Sequence, residues 1–303
     1  MRYPGRLVLP ALAAVAALVG CGGSSEPTEH GQVEVVAAFY PLEYVAGRIG
    51  GDDVHVSGLT KPGSEPHDLE LTPQQVATLG EADLVLVLGG FQPAVDEAAG
   101  QQAEAATLDV AGVDELEPGF TPIEDGELHE DERGVDPHVW LDPARLSRIA
   151  RSVEDRLAEI DRANASAYRE RGVVLRADLD ALDKDFRSGL ARCERKEIVT
   201  SHNSFGYLAR AYGLEQIGIT GLTPEEEPAP RRLAEVTDLA RKRRVTTIFF
   251  EDLVSPKVAE SLAREVGAVA KVLSPLESPP ESGDYLTAMR ANLTALRAAL
   301  GCP

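Results

Sequence analysis

Midway along the chain, Tyr168, Leu175, Leu179, Leu182, Phe186 and Leu190 recur at steps of seven, four, three, four and four residues. Those steps keep all six on one face of a helix. Gly172 is the one interruption before the last turn, so the pattern predicts one helix from Asp161 to about Ala191, on the order of 40 Å long. A helix as long as a whole domain, set at mid-chain, acts as a strut. The segments on either side of it must each build a packed layer of their own. The 303 residues also exceed the roughly 100–200 expected of one domain.

Both flanks alternate strand and helix. Before the strut, Val33–Phe39, Val54–Leu59 and Leu84–Leu88 read as strands, with helices over Pro41–Ile49 and Pro73–Leu79. After it come strands Glu197–Thr200, Leu214–Gly218, Val245–Glu251 and Val269–Leu273. Helices Phe205–Tyr212, Pro230–Lys242, Pro256–Val266 and Asp284–Leu300 separate and close them. Such alternation indicates βα units around mostly parallel sheets. Asp142-Pro143 opens a helix to about Ile160, with Asp as N-cap and Pro in the first turn. Glu115–Asp136, rich in acids with Pro and Gly, reads as a loop. The expected fold class is therefore α/β: two lobes, each with a central mostly parallel sheet flanked by helices, joined by one long rigid helix.

The N-terminus stands outside that fold. Arg2 and Arg6 precede an apolar run from Leu7 to Gly20, shorter than the roughly 18 continuous apolar residues that span a bilayer. Leu18-Val19-Gly20-Cys21 looks like a lipoprotein cleavage box, and Gly22-Gly23-Ser24-Ser25 like a flexible tether. The chain thus divides into a leader (1–20), a lipid-anchored linker (21–32), an N-terminal lobe (33–160), the connecting helix (161–192) and a C-terminal lobe (193–303). With Cys21 assigned to lipid, Cys193 and Cys302 remain as an even pair. They either close one disulfide in an oxidising compartment or stand as two free thiols. The formal net charge of −20 becomes more negative once a leader with two arginines and no acids is removed. That argues against nucleic acid, whose phosphates demand a basic face.

Three of the six histidines lie at Pro- or Ser-marked breaks: His67 in EPHDLELTP, His138 in VDPHVWLDP and His202 in TSHNSFGYLARAYGL. His67 and His202 each come just after a predicted strand, at the carboxyl end where open α/β sheets bind ligands. Imidazole is the commonest transition-metal side-chain ligand, and three suit a tetrahedral Zn²⁺ site with a fourth position for water or another side chain.

These words resemble those of the zinc/manganese substrate-binding lipoproteins of bacterial ABC metal importers, and the resemblance runs from about Val33 to Leu300. It implies that His67 and His138 from one lobe and His202 from the other hold a metal in the cleft between them. The pattern departs at the fourth ligand. Many members place Asp in a word like Leu-Asp-Pro-Leu, and here Ser274 stands there, in Leu273-Ser274-Pro275-Leu276. Others place Glu directly before the first histidine, where this chain has Pro66. The expectation is three histidines plus a water or a carboxylate recruited from a loop.

Glu251 and Glu227 also match family words and are expected to hydrogen-bond ligand imidazoles rather than bind metal. Glu225 and Glu226 read as solvated surface, and His30 and His55 as uninvolved. Glu124, Asp125, Glu127, His129, Glu130, Asp131 and Glu132 form an acidic segment where relatives carry a long His-rich loop. The segment reads as a disordered solvated loop, with His129 as its one candidate auxiliary metal contact. Three imidazoles without an obligatory carboxylate favour Zn²⁺ over Mn²⁺, which prefers carboxylate oxygens.

The function implied is capture of Zn²⁺ outside the membrane and delivery to an ABC permease driven by a cytoplasmic ATPase. The protein would be a monomer anchored by its N-terminal lipid to the outer face of the cell membrane, periplasmic if the envelope has two membranes. It would not be an enzyme, and its release step would use small lobe tilts and movement around His202 rather than wide closure. The chain has no P-loop, so ATP hydrolysis belongs to another subunit. Three alternatives stand beside this reading: a Mn²⁺-specific member of the same family, a zinc hydrolase and a surface adhesin. The hydrolase lacks an HExxH helix, and nothing in the chain specifies a host partner for the adhesin.

Overall fold

The computed structural model describes Met1 and residues 31–113, 116–124, 127–224 and 227–303, with only the backbone described over 118–134. The leader, Cys21, His30, Asp125, Glu225 and Glu226 lie outside the described residues.

The N-terminal half runs β1 (Val33–Ala37), α1 (Tyr40–Gly50), β2 (Val54–Gly58), α2 (Pro73–Glu81), β3 (Leu84–Val87), α3 (Pro93–Gln102) and β4 (Thr107–Asp109). Its four strands pair in parallel in the order β2-β1-β3-β4. Central β3 is buried along its length, as a parallel strand covered on both faces must be. The capping box of Thr72 with Gln75 starts α2.

Two elements here exceed the sequence expectation. α3 is built of Ala, Gln and Gly with little apolar face, and β4 is three residues long. The second difference is the expected loop 115–136. It contains an antiparallel hairpin, β5 (Pro118–Glu124) with β6 (Glu127–Val135). Backbone pairing alone defines that ladder, which an alternating apolar pattern did not announce.

α4 (Pro143–Ile160) comes next, N-capped by Asp142, whose side chain accepts from the Ala144 amide at 2.9 Å. α5 (Ala165–Leu190) is the 26-residue helix. It begins four residues later than the periodicity suggests. Asp161 instead organises the corner, accepting from Asn164 Nδ2 and the Tyr168 hydroxyl, each at 2.8 Å. Tyr168, Leu175, Leu179, Leu182, Phe186 and Leu190 are all buried, as the spacing predicts.

The C-terminal half runs β7 (Glu197–Thr200), α6 (Gly206–Tyr212), β8 (Glu215–Gly218), α7 (Pro230–Lys242), β9 (Thr247–Phe250), α8 (Lys257–Val266), β10 (Val269–Val272) and α9 (Tyr285–Leu300). Its sheet is also parallel, in the order β10-β9-β7-β8. Cys193, after α5, is bonded to Cys302, after α9. The architecture is the two-lobed α/β fold that the alternation predicts.

Candidate metal centre

His67 and His202 follow the carboxyl ends of β2 and β7, and His138 lies in the turn between β6 and α4. His67 sits in the connection from β2 to α2, which hydrogen bonds hold in shape. Thr60 Oγ1 donates to Ala38 O at 2.8 Å, and Gln92 Nε2 donates to Thr60 Oγ1 at 3.2 Å and to Pro66 O at 3.1 Å. The His67 ring stands edge-on to Phe91, centroids 4.7 Å apart.

His138 begins the 3-10 turn Val139–Leu141 ahead of α4 and is fully buried. Asp136 Oδ1 accepts from the His138 amide at 3.0 Å and lies 2.8 Å from Nδ1. A carboxylate accepts only, so Nδ1 carries a proton and Nε2 is the nitrogen left to face the other donors. Asp136 is itself braced from the other lobe. The Tyr207 hydroxyl donates to its carbonyl at 2.9 Å, and the Arg210 guanidinium lies 3.7 Å from Oδ2. Gly206 approaches so closely that a Cβ there would lie 2.4 Å from Oδ2.

His202 comes just after β7 and is equally buried. Glu251, just past β9, sets its tautomer in the same way, with Oε1 at 2.6 Å from Nδ1. That oxygen also takes the Ser201 hydroxyl and the His202 amide. Glu251 therefore contacts the His202 imidazole.

The fourth group is Glu277, in the connection from β10 to α9. Its Oε1 lies 3.5, 3.3 and 3.7 Å from Nε2 of His67, His138 and His202, and the last two nitrogens are 3.3 Å apart. One ligand atom from each of these four residues falls within 4.8 Å of the rest. A zinc–ligand bond of about 2.0–2.1 Å puts the corners of a tetrahedron about 3.4 Å apart, so most of these edges already have tetrahedral length. The donors are also held in wait. His67 Nε2 and both Glu277 carboxylate oxygens are buried with no hydrogen-bond partner among the described residues, an expensive arrangement unless a cation pairs with them.

Electrostatics agree. Burial pushes the Glu277 carboxyl up, but the His138 and His67 imidazoles against it outweigh burial and hold it well below the usual range. Burial lowers His67 and wins there. His138 is pushed down by burial, yet Asp136 and Glu277 on either side raise it to about 9. The pocket is built to attract positive charge to the point where the four groups meet.

Two residues of this site were not singled out in the sequence, Glu277 and Asp136. Glu277 lies three positions beyond Ser274, the residue standing in the family's carboxylate place. Ser274 is occupied elsewhere: its amide donates to Asn292 Oδ1 at 3.0 Å and its carbonyl accepts from Asn292 Nδ2 at 2.7 Å. The usable signal was an acid among prolines at the carboxyl end of the last strand. Glu227 corrects the sequence reading. It is exposed on the loop between β8 and α7, and the acid bonded to His138 is Asp136. The His129 backbone pairs with Thr121 in the β5–β6 ladder, and its side chain lies outside the described residues. His55 is exposed on β2, 3.4 Å from Ser57 Oγ.

Comparison with known proteins gives a consistent result. The family model described as zinc-uptake complex component A, periplasmic (ZnuA), matches residues 35–299. The high-affinity zinc uptake system protein ZnuA of Bacillus subtilis is 33% identical over 298 residues, covering 93% of each chain. The zinc-binding lipoprotein AdcA of Streptococcus pneumoniae serotype 4 is 33% identical over 308 residues, and this chain spans 59% of that protein's length. Among solved structures, a laminin-binding protein of Streptococcus agalactiae, described as having adhesin and metal-transporting activity, superposes with a TM-score of 0.78 at 30% identity. That match covers 88% of this chain and 99% of the other.

Proposed function

This chain belongs to the ZnuA family of zinc-uptake components, and on that premise we propose that it captures one Zn²⁺ between its lobes for delivery to an ABC permease and its ATPase. The observation that carries the reading is the convergence of His67, His138, His202 and Glu277, two from each half of the chain. The histidines bind through Nε2 and Glu277 through its carboxylate. Asp136 and Glu251 fix the tautomers from behind. Three nitrogens and one oxygen at tetrahedral spacing favour Zn²⁺ over the oxygen-preferring, octahedral Mn²⁺.

A hydrolase needs an open coordination position for water, and in this reading Glu277 fills it. A zinc protein with four chain donors stores or carries rather than catalyses. The adhesin reading has no residue here to carry it. Cys21 is the proposed lipid attachment site, with residues 1–20 removed and 21–32 as linker. The chain works as an extracytoplasmic monomer, with 33–160 and 193–303 as its lobes and 161–192 as the connector. Among the described residues no helix is long and apolar enough to cross a membrane.

The test is metal stoichiometry and Zn²⁺-against-Mn²⁺ competition on the chain starting at Gly22, stripped by chelator. We expect one tightly held Zn²⁺ that excess Mn²⁺ does not displace, and its loss in His202→Ala. A preference for Mn²⁺, or no tight metal, would overturn the proposal.

A further inference from the structure

The four donors are not supported alike. His138 leans on Asp136 and His202 on Glu251, whereas neither oxygen of Glu277 receives a hydrogen bond among the described residues. Its position is therefore set by its loop, which is gripped from the opposite lobe on both sides, once on a backbone carbonyl and once on a side-chain hydroxyl. Trp140 Nε1 donates to Pro275 O at 2.7 Å, two residues before Glu277. The Gly63 amide donates to Ser278 Oγ at 2.7 Å, one residue after it. Trp140 lies two residues beyond His138 and Gly63 four before His67, so each N-terminal ligand segment also holds the loop that brings the carboxylate. The Tyr285 hydroxyl, at the far end of the loop, closes the circuit on Trp140 O.

Between the two grips the loop is strained. Leu276 has φ of 57°, one of two non-glycine residues with positive φ among those described, and its side chain is buried in the main core. An L-residue is disfavoured in that region and persists there only where its surroundings over-determine it. The bond from the Leu276 amide to Ser274 Oγ, at 3.3 Å, is local. The bonds that immediately flank Glu277 and cross between lobes are Trp140 to Pro275 and Gly63 to Ser278.

We propose that Trp140 and Ser278 are positioning residues that form a release latch: they hold the Leu276 turn in its left-handed form and so keep Glu277 on the metal. The proposal rests on Glu277 being the fourth ligand. When the lobes tilt apart, the two bonds that flank Glu277 break together and the turn relaxes. Glu277 then leaves first, because no side chain of its own lobe retains it. The cargo is left on three histidines, two of one lobe and one of the other. Metal residence time is thus governed by two hydrogen bonds distant from the metal itself, at positions a docking partner can reach by moving the lobes.

The experiment is zinc release from the mature chain into excess chromogenic chelator by stopped flow. It compares wild type, Ser278→Ala, Trp140→Phe, Glu277→Gln and Ser278→Ala combined with Glu277→Gln. Each latch variant should speed release roughly 2- to 10-fold, the scale of one neutral hydrogen bond, with Glu277→Gln faster than either. In the Glu277→Gln background Ser278→Ala should add nothing, which a merely structural role would not produce. Should Trp140→Phe disturb folding, Ser278→Ala alone carries the test. Fast release from Glu277→Gln with wild-type rates in the latch variants would overturn the latch and leave the ligand reading standing. Additive effects in the combined variant would also overturn it, because Ser278 would then act through some other group. Unchanged release from Glu277→Gln would overturn the ligand reading itself.

Discussion

The two faces of the C-terminal sheet are built to different standards. Ile198 and Phe249 point into a core that runs without a break through α5 and α9 to β1 and β3 of the N-terminal sheet, with Phe39, Trp140, Phe186 and Tyr285 inside it. Their neighbours Val199 and Ile248 point the other way, into a separate cluster of Val, Ile, Leu and Ala under α7 and α8 with no buried aromatic residue. Edge strand β10 leaves Val269 and Val272 at 53% and 45% exposure. Side chains alternate across a strand, so adjacent residues sit in a thick core and a thin one. The histidines also differ in what surrounds them. His67 and His138 stand among Phe91 and Trp140, while His202 and Glu277 hang from β7 and β10 of the sheet with the thin outer layer. One half of the site is fixed by packing, and the other depends on individual polar bonds.

The largest expected effect is on stability. Leu182→Ala in the shared core should cost near the upper end of about 2–5 kcal/mol, while Leu262→Ala in the outer cluster should cost near the lower end. Urea unfolding with chelator present measures both. Equal costs would mean that the two cores are not distinct.

Next in size is the contrast between the two acids behind the imidazoles. Asp136→Asn should weaken zinc roughly 10-fold and Glu251→Gln nearer roughly 100-fold, the range for groups that orient a ligand. His138 keeps its aromatic packing and its turn when Asp136 is changed. His202 loses the carboxylate that also binds Ser201 and its own amide. Chelator competition decides the order, and a larger loss at Asp136 would reverse the assignment of the packed and unpacked halves.

The smallest effect exposes a flaw in the well-packed half. Glu43 in α1 has an unpartnered buried oxygen, and burial raises its carboxyl to about 7. A folded-state value above the unfolded one means that the folded protein holds the proton more tightly. Its contribution is full below the unfolded value of about 4.3 and is lost as pH rises towards 7. Melting temperature should therefore fall between pH 5 and 8 more in wild type than in Glu43→Gln. Parallel pH profiles would show that Glu43 does not titrate across that range.

The same contrast explains how much of the molecule was legible in the sequence. Apolar runs, Pro at helix starts and the seven-four-three spacing of α5 mark elements whose burial is dense, and those are placed within a few residues. Nothing comparable marks α3, with its Ala and Gln, or the β5–β6 hairpin, which backbone bonds define. At the site, the three histidines stand in extended matching words. Glu277 does not, because its role depends on where the loop from β10 travels in space. Asp136 was within reach, two residues before His138 in the same word, yet its partner became visible only with the turn.

The bridge from Cys193 to Cys302 spans 109 positions and joins the ends of α5 and α9, so every strand of the C-terminal sheet lies inside one covalent ring. A single proteolytic cut within that ring would linearise it without releasing a fragment. Should the thin outer layer fray, its segments stay leashed at both ends, and the search that restores them is confined to a closed loop of chain. The ring gives the lobe with the weaker packing a topological memory of its own shape.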